Sequence, residues 1–88
     1  MYIVNETNET YYLNITERRK GLIIVKSAVT YGDEEYFFGT NPFTESVLAI
    51  FYDEVVEVDL ATFQQAFALV NNGEAEACYQ LALKIKNK

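Results

Sequence analysis

Carboxylates are the residues of this chain whose number and spacing could support a specific chemistry. Between Lys26 and Lys84 the sequence has no basic residue and ten of its thirteen acidic ones. Four of them fall within seven consecutive residues: Asp53, Glu54, Glu57 and Asp59. Because like charges repel, this stretch is unsuited to nucleic acid or an anionic membrane and favourable to a basic partner.

The spacing of this group matters if residues 53–59 form a β-strand. Val56 and Val58 would then point to the core. The opposite face would carry three carboxylates with Val55 between them: Asp53, Glu57 and Asp59. Neighbours on one face lie about 6.6–6.8 Å apart, so such a row could imitate the phosphates of a nucleic acid and occupy a basic groove. Alternatively, it is the solvated face of an edge strand, where charge prevents aggregation.

A second acidic group, Asp33-Glu34-Glu35, follows Gly32 at a predicted turn. We place these three residues with the first group in one candidate protein-binding set. Weak binding of calcium or magnesium is the alternative, but several oxygens would have to converge within about 2.0–2.6 Å of one ion. A carboxylate pair can also catalyse glycoside hydrolysis, which requires a cleft that a domain of this size rarely builds alone.

Other catalytic groups are missing from the sequence. The chain has no histidine, the commonest general base and transition-metal ligand. Its single cysteine, Cys78, allows neither an intrachain disulfide nor a structural zinc site. The four glycines are isolated and form no phosphate-binding loop. The sequence therefore predicts a non-catalytic protein without a cofactor or metal.

The one basic cluster, Arg18-Arg19-Lys20, lies near Tyr11 and Tyr12 in the sequence. Basic residues among aromatic ones can bind single-stranded nucleic acid. The alternatives are a solvated turn or pairing with acidic residues of a neighbouring subunit. Since the net charge is −6, we expect no direct binding to nucleic acid.

Length and composition are typical of one small globular domain. The 88 residues are half apolar and include seven Tyr and six Phe. Each buried ring covers about 150–250 Å², so a small core can leave some rings for an interface, although tyrosine hydroxyls also tolerate water. The sequence begins without the pattern of a signal peptide, and its longest apolar run is six residues, Val47 to Tyr52. A membrane span needs about 20. We therefore expect a cytoplasmic protein that does not enter a membrane.

Most of the N-terminal two thirds is predicted to be strand. Tyr2–Val4 and Thr10–Thr16 are β-prone and suggest a first hairpin. After a charged turn at Glu17–Gly21, the runs Leu22–Tyr31 and Tyr36–Phe38 suggest a second.

The segment Phe43–Tyr52 is compatible with a short helix or a buried strand. A strand is favoured, because Asp53-Glu54 would then turn the chain into a further strand at Val55–Val58.

The C-terminal third is predicted to form two helices. Asp59 is a good N-cap, and Asn71-Asn72-Gly73 ends the first helix. The apolar stripe of the first helix is Leu60, Phe63, Phe67 and Val70. The second helix starts near Glu74, and its stripe is Cys78, Leu81, Ala82 and Ile85.

Together these patterns predict a single α+β domain over residues 1–88, with an antiparallel sheet of four to six strands and a helical hairpin packed on one face. The predicted function is a small acidic protein-binding module. A more specific version is a viral or mobile-element inhibitor that presents carboxylates to a nucleic-acid-binding protein. The alternative is a homo-oligomeric structural subunit, for example a homodimer built through aromatic residues and an exposed edge strand.

Overall fold

In the part of the chain that the structure describes, five antiparallel strands form one sheet with the spatial order β4-β3-β2-β1-β5. The computed structural model describes residues 9–27 and 33–88. Its strands are β1 (Glu9–Asn14), β2 (Ile23–Ser27), β3 (Tyr36–Thr40), β4 (Val47–Phe51) and β5 (Val55–Val58). Two 3₁₀ turns, Glu17–Arg19 and Tyr52–Glu54, lead towards β2 and β5, and two helices follow: α1 (Leu60–Asn71) and α2 (Ala75–Lys86). The predicted α+β fold is confirmed, and so is a strand within residues 43–52. The expectation that this strand is buried is wrong, because β4 lies at an edge of the sheet and three of its five residues are exposed.

Strand β1 occupies an interior position of the sheet. Leu13 lies opposite Ile23 of β2 on one side and opposite Val56 of β5 on the other. The predicted pairing of β2 with β3 is confirmed by the antiparallel match of Val25 with Thr40. The predicted strand at residues 2–4, its hairpin with β1 and the connection at 28–32 lie outside the described residues.

Apolar side chains fill both faces of the sheet, because neighbouring residues of a strand point to opposite sides. The helix-side core combines sheet and helix residues: Leu13, Ile23, Phe63, Ala66, Cys78 and Ala82. The far-side cluster lies on the other face: Tyr12, Ile24, Phe37, Ile50 and Val55. Each fully buried large side chain stabilises the fold by about 1.5–3 kcal/mol, so both clusters contribute to stability.

The predicted N-cap of α1 is confirmed, since the Asp59 carboxylate accepts a 2.8 Å hydrogen bond from the Thr62 backbone N–H. The predicted apolar stripe of α1 is wrong at two positions. Leu60 and Phe67 are exposed, whereas Phe63 and Ala66 enter the core. Phe67 is instead stacked on Phe43 with ring centroids 4.4 Å apart, at the surface.

The predicted stripe of α2 is confirmed. Cys78 and Ala82 are buried, and Leu81 and Ile85 pack against the same core.

Lys20 and Gly21, which follow the first 3₁₀ turn, contact α2. Lys20 Nζ donates a 2.7 Å hydrogen bond to Glu76 and lies 5.1 Å from the centre of the Tyr79 ring. Gly21 has a φ of +82°, and a Cβ at this residue would lie 2.6 Å from Ala75 Cβ. Glycine therefore allows both the turn and the close approach to the start of α2.

Candidate protein-binding surface

Two acidic segments of the chain meet beside the end of β4. The backbone N–H of Tyr52 donates to the carbonyl oxygen of Glu35 at 3.0 Å, which extends the ladder between β3 and β4. The loop before β3 therefore lies next to the second 3₁₀ turn. These segments carry five carboxylates, of which Glu54 is paired with Arg18. We call the other four the acidic cluster: Asp33, Glu34, Glu35 and Asp53.

Asp33 has a structural role in this loop. Its carboxylate accepts backbone hydrogen bonds from Glu35 at 2.8 Å and Tyr36 at 3.1 Å. Its own N–H donates to the carbonyl oxygen of Tyr36 at 2.8 Å. These bonds fix the turn and leave the side chains of Glu34 and Glu35 exposed to solvent.

Three of the four carboxylates of the acidic cluster line an open depression of about 470 Å³. Glu34, Glu35 and Asp53 supply its carboxylates, and Phe51 and Tyr52 supply its aromatic lining. Both rings are partly exposed. An aromatic surface beside carboxylates suits the side chains of lysine and arginine, which combine an apolar stem with a cationic head.

The acidic cluster has no cation of its own among residues 9–27 and 33–88. All seven Lys and Arg residues fall within these ranges. The salt bridges found there are elsewhere, between Arg18 and Glu54 and between Lys20 and Glu76. The negative charge of the cluster is therefore balanced by solvent ions or by a partner.

Glu54 and Asp59, two residues of the predicted set, interact with neighbouring parts of the chain. Glu54 accepts a 2.6 Å hydrogen bond from Arg18, and its side chain is only 18% exposed. Asp59 caps α1, and the hydrogen bonds from Thr62 lower the pKa of its carboxyl group. Both carboxylates thus have a structural role in this fold.

The predicted row of carboxylates along one strand is not formed. Asp53 lies in the 3₁₀ turn before β5, and Val55 is buried in the far-side cluster. A row of carboxylates on one face requires the alternate residues to point to the core on the other face. Val56 and Val58 do so, since they pack on the helix side. The opposite face of the sheet carries the far-side cluster, into which Val55 packs. Glu57 is therefore the one exposed carboxylate that β5 contributes to that face.

Glu57 lies opposite Tyr12 in the register of β1 and β5. Burial, the charge of Glu57 and the neighbouring Tyr52 together raise the pKa of Tyr12 to about 12. Glu57 therefore acts on the phenol of Tyr12 and does not line the depression at the acidic cluster.

Strand β4 borders the acidic cluster and forms one edge of the sheet. Hydrogen bonds at its two ends, Tyr52 N–H to Glu35 and Asn41 N–H to Ser46, show which residues face β3. Hydrogen-bonded pairs alternate along an antiparallel ladder. The inward residues of β4, whose backbone groups face β3, are Leu48 and Ile50. The outward residues, whose N–H and C=O groups face away from the sheet, are Val47, Ala49 and Phe51.

The sequence predicts an exposed edge strand and aromatic rings for an interface, but it does not give their positions. The available signal was the uncharged run Val47–Tyr52, directly followed by Asp53-Glu54. Its assignment to the edge of the sheet depends on pairing between distant segments, which a single sequence does not display.

No protein-family model, curated protein or solved structure gives a significant match to this chain. In the described part of the chain, no three His, Cys, Asp or Glu side chains are grouped closely enough to hold a metal ion. Both described helices are too short to cross a membrane.

Proposed function

We propose that this protein is a non-catalytic module that binds a basic segment of another protein at the acidic cluster. The observation that carries the proposal is the meeting of three carboxylates of the acidic cluster around the depression lined by Phe51 and Tyr52, without a salt bridge to a cation from the described residues. Two separate segments of the chain form this surface, and backbone hydrogen bonds hold them together.

Charge alone would give a weak complex. An exposed ion pair contributes about 0–1 kcal/mol and is weakened by salt. The affinity therefore depends on the two aromatic rings, which can pack against the stems and cationic heads of bound lysine or arginine. The surplus of negative charge mainly accelerates association and excludes acidic partners.

A basic groove of a nucleic-acid-binding protein is one partner surface with suitable chemistry. The hypothesis of an inhibitor that imitates nucleic acid requires an ordered row of carboxylates along one strand. Asp53 and Glu57 do not share a strand, so this row is not available to support it. The acidic cluster supports the general function of binding a basic protein segment, so we propose that function.

A selection from a random peptide library can test this proposal. The wild type is compared with a cluster variant, E34Q/E35Q/D53N, and with a charge-matched control, E9Q/E17Q/E74Q. Asp33 is kept because its carboxylate fixes the turn. We expect lysine and arginine to be enriched among peptides bound by the wild type and the control, and this enrichment to be lost with the cluster variant.

Thermal unfolding of the three proteins shows whether each variant keeps its fold. Equal enrichment of basic peptides on a folded cluster variant would contradict the proposal. So would a wild-type selection without any preference for lysine and arginine.

A homo-oligomeric structural role is the second candidate, and the exposed apolar side chains of Val47 and Phe51 favour it. Against it, each chain carries a net charge of −6, which opposes self-association at low salt. Sedimentation at low and high salt distinguishes the two functions. The structural role predicts an oligomer that persists on dilution, and the binding role predicts a monomer.

A further inference from the structure

The outer edge of β4 presents a row of backbone groups that no other described strand pairs with. The N–H and C=O groups of Val47, Ala49 and Phe51 point away from β3, and within the described residues no strand pairs with them. Such an edge is a template for another strand. Proteins usually block it with lysine, proline or a bulge, and the sequence of β4, Val-Leu-Ala-Ile-Phe, contains neither lysine nor proline.

The side chains beside this edge are apolar and accessible. The register of the sheet places Val47 opposite Thr40, and Thr40 opposite Val25, so the outward residues lie on the face that carries the helices. The helices pack over β1, β2 and β5 on that face. As a result, Val47 is 64% and Phe51 is 47% exposed. An added strand could therefore gain both backbone hydrogen bonds and apolar contacts.

Negative charge is concentrated at one end of β4. The acidic cluster lies at the end of the strand marked by Phe51, and Asp53 and Glu35 line the same depression as its ring. A strand that paired antiparallel to β4 would begin beside the cluster and finish beside Val47. Its basic residues would then stand at its N-terminal end.

We infer that β4 accepts an extended segment of the basic partner as a sixth, antiparallel strand, with lysine or arginine preceding a run of alternating apolar residues. This inference rests on the proposed function. Antiparallel addition is favoured because all four strand pairs of the sheet are antiparallel and because antiparallel pairing is slightly more stable.

A second copy of this chain is a poorer occupant of the same edge. In an antiparallel pair of two β4 strands centred on Ala49, Phe51 of each copy would lie opposite Val47 of the other. Each acidic cluster would then approach the loop of the other copy that contains Glu45. The approach of like charges opposes this dimer, whereas a basic segment relieves the same charge.

Two synthetic peptides of identical composition test the inference. The forward peptide has lysine and arginine followed by four threonine-valine repeats, and the reversed peptide has the same residues in the opposite order. We expect the forward peptide to bind the wild type at least about tenfold more tightly in a fluorescence anisotropy titration. In amide hydrogen exchange, the outward residues of β4 should become protected when it binds.

The variant Ala49→Pro removes an outward N–H without removing a hydrogen bond to β3, a position at which an edge strand tolerates proline. It should abolish the preference for the forward peptide. Ala49→Lys, which places a charge on the edge, serves the same purpose if the proline variant does not fold. A conservative change, Ala49→Ser, is the control and should bind as the wild type does.

The results separate the two proposals. Equal binding of both peptides, lost in E34Q/E35Q/D53N, would overturn strand addition and support the acidic surface. Unchanged binding in that folded variant would contradict the proposed function itself. Failure of both peptides to bind, or a stable dimer whose outward amides are protected without peptide, would overturn the inference.

Discussion

Gly21 and Gly73 form a matched pair from which the cost of a single steric contact can be measured. Their φ angles are nearly equal, +82° and +80°. An added Cβ at Gly73 would meet nothing within 4 Å, whereas at Gly21 it would lie 2.6 Å from Ala75 Cβ and 3.1 Å from Ala75 Cα. The same substitution to alanine therefore imposes the same backbone strain at both positions and a collision at only one.

The expected magnitudes follow from these distances. A non-glycine residue in the left-handed region costs about 1–2 kcal/mol, and the stiffer unfolded chain offsets about 0.4–1 kcal/mol of this. We therefore expect Gly73→Ala to lower the free energy of unfolding by about 1 kcal/mol, or the Tm by about 4–8 °C. The collision adds about 1–3 kcal/mol, so Gly21→Ala should cost about 2–4 kcal/mol in total.

Urea denaturation followed by circular dichroism measures both values. A double variant, G21A/A75G, removes the closest clash and should be more stable than the sum of its single variants predicts, by about 1 kcal/mol. Equal losses in G21A and G73A, or strict additivity in the double variant, would refute the close packing of Gly21 against α2.

Three further predictions concern the sheet and the start of α1. Amide exchange of the free protein should alternate along β4, slow at the inward residues and fast at the outward residues; uniform protection would show that the edge is covered. Spectrophotometric titration should give Tyr12 a pKa of about 12, above its ordinary 10.0, and Glu57→Gln should lower this value. Since folding raises this pKa, the neutral phenol stabilises the fold below pH 10.0, and the contribution is lost as the pH rises to about 12. The pKa of Asp59 is lowered by Thr62, so its contribution to stability is present above the ordinary carboxyl pKa and is lost as the pH falls through the lower, folded-state value. Asp59→Asn keeps an oxygen that can accept the capping bond, and acid unfolding curves should show less loss of stability than in the wild type.

Local patterns in the sequence were sufficient for much of the fold. Alternating and β-branched residues predicted strands in the described ranges, and Asp59 and Gly73 marked the limits of α1. These signals depend on near neighbours in the chain. The exposure of Leu60 and Phe67 was not predictable in this way, because it depends on how much of α1 the sheet can cover.

The candidate site was harder to derive than the fold. The distribution of acidic residues in the sequence indicated Asp33–Glu35 and Asp53 as separate groups. Their proximity in the fold depends on the register of β3 and β4. The expected row along β5 failed because Val55 is needed in the far-side cluster. A row of charged residues identifies the exposed face of a strand only when no other part of the protein packs on that face.

The order of the elements along the chain has a consequence for biosynthesis. All five strands precede the helices that cover Leu13 and Ile23. A nascent chain that has emerged only as far as β5 can pair its strands, but the helix-side face of its sheet is still bare. Such an intermediate exposes apolar surface together with the outer edges of β4 and β5, which no strand of the described residues covers. This is the kind of species that chaperones bind and that aggregates when they do not. Synthesis of the segment that contains α1 and α2 therefore decides whether the sheet is buried correctly.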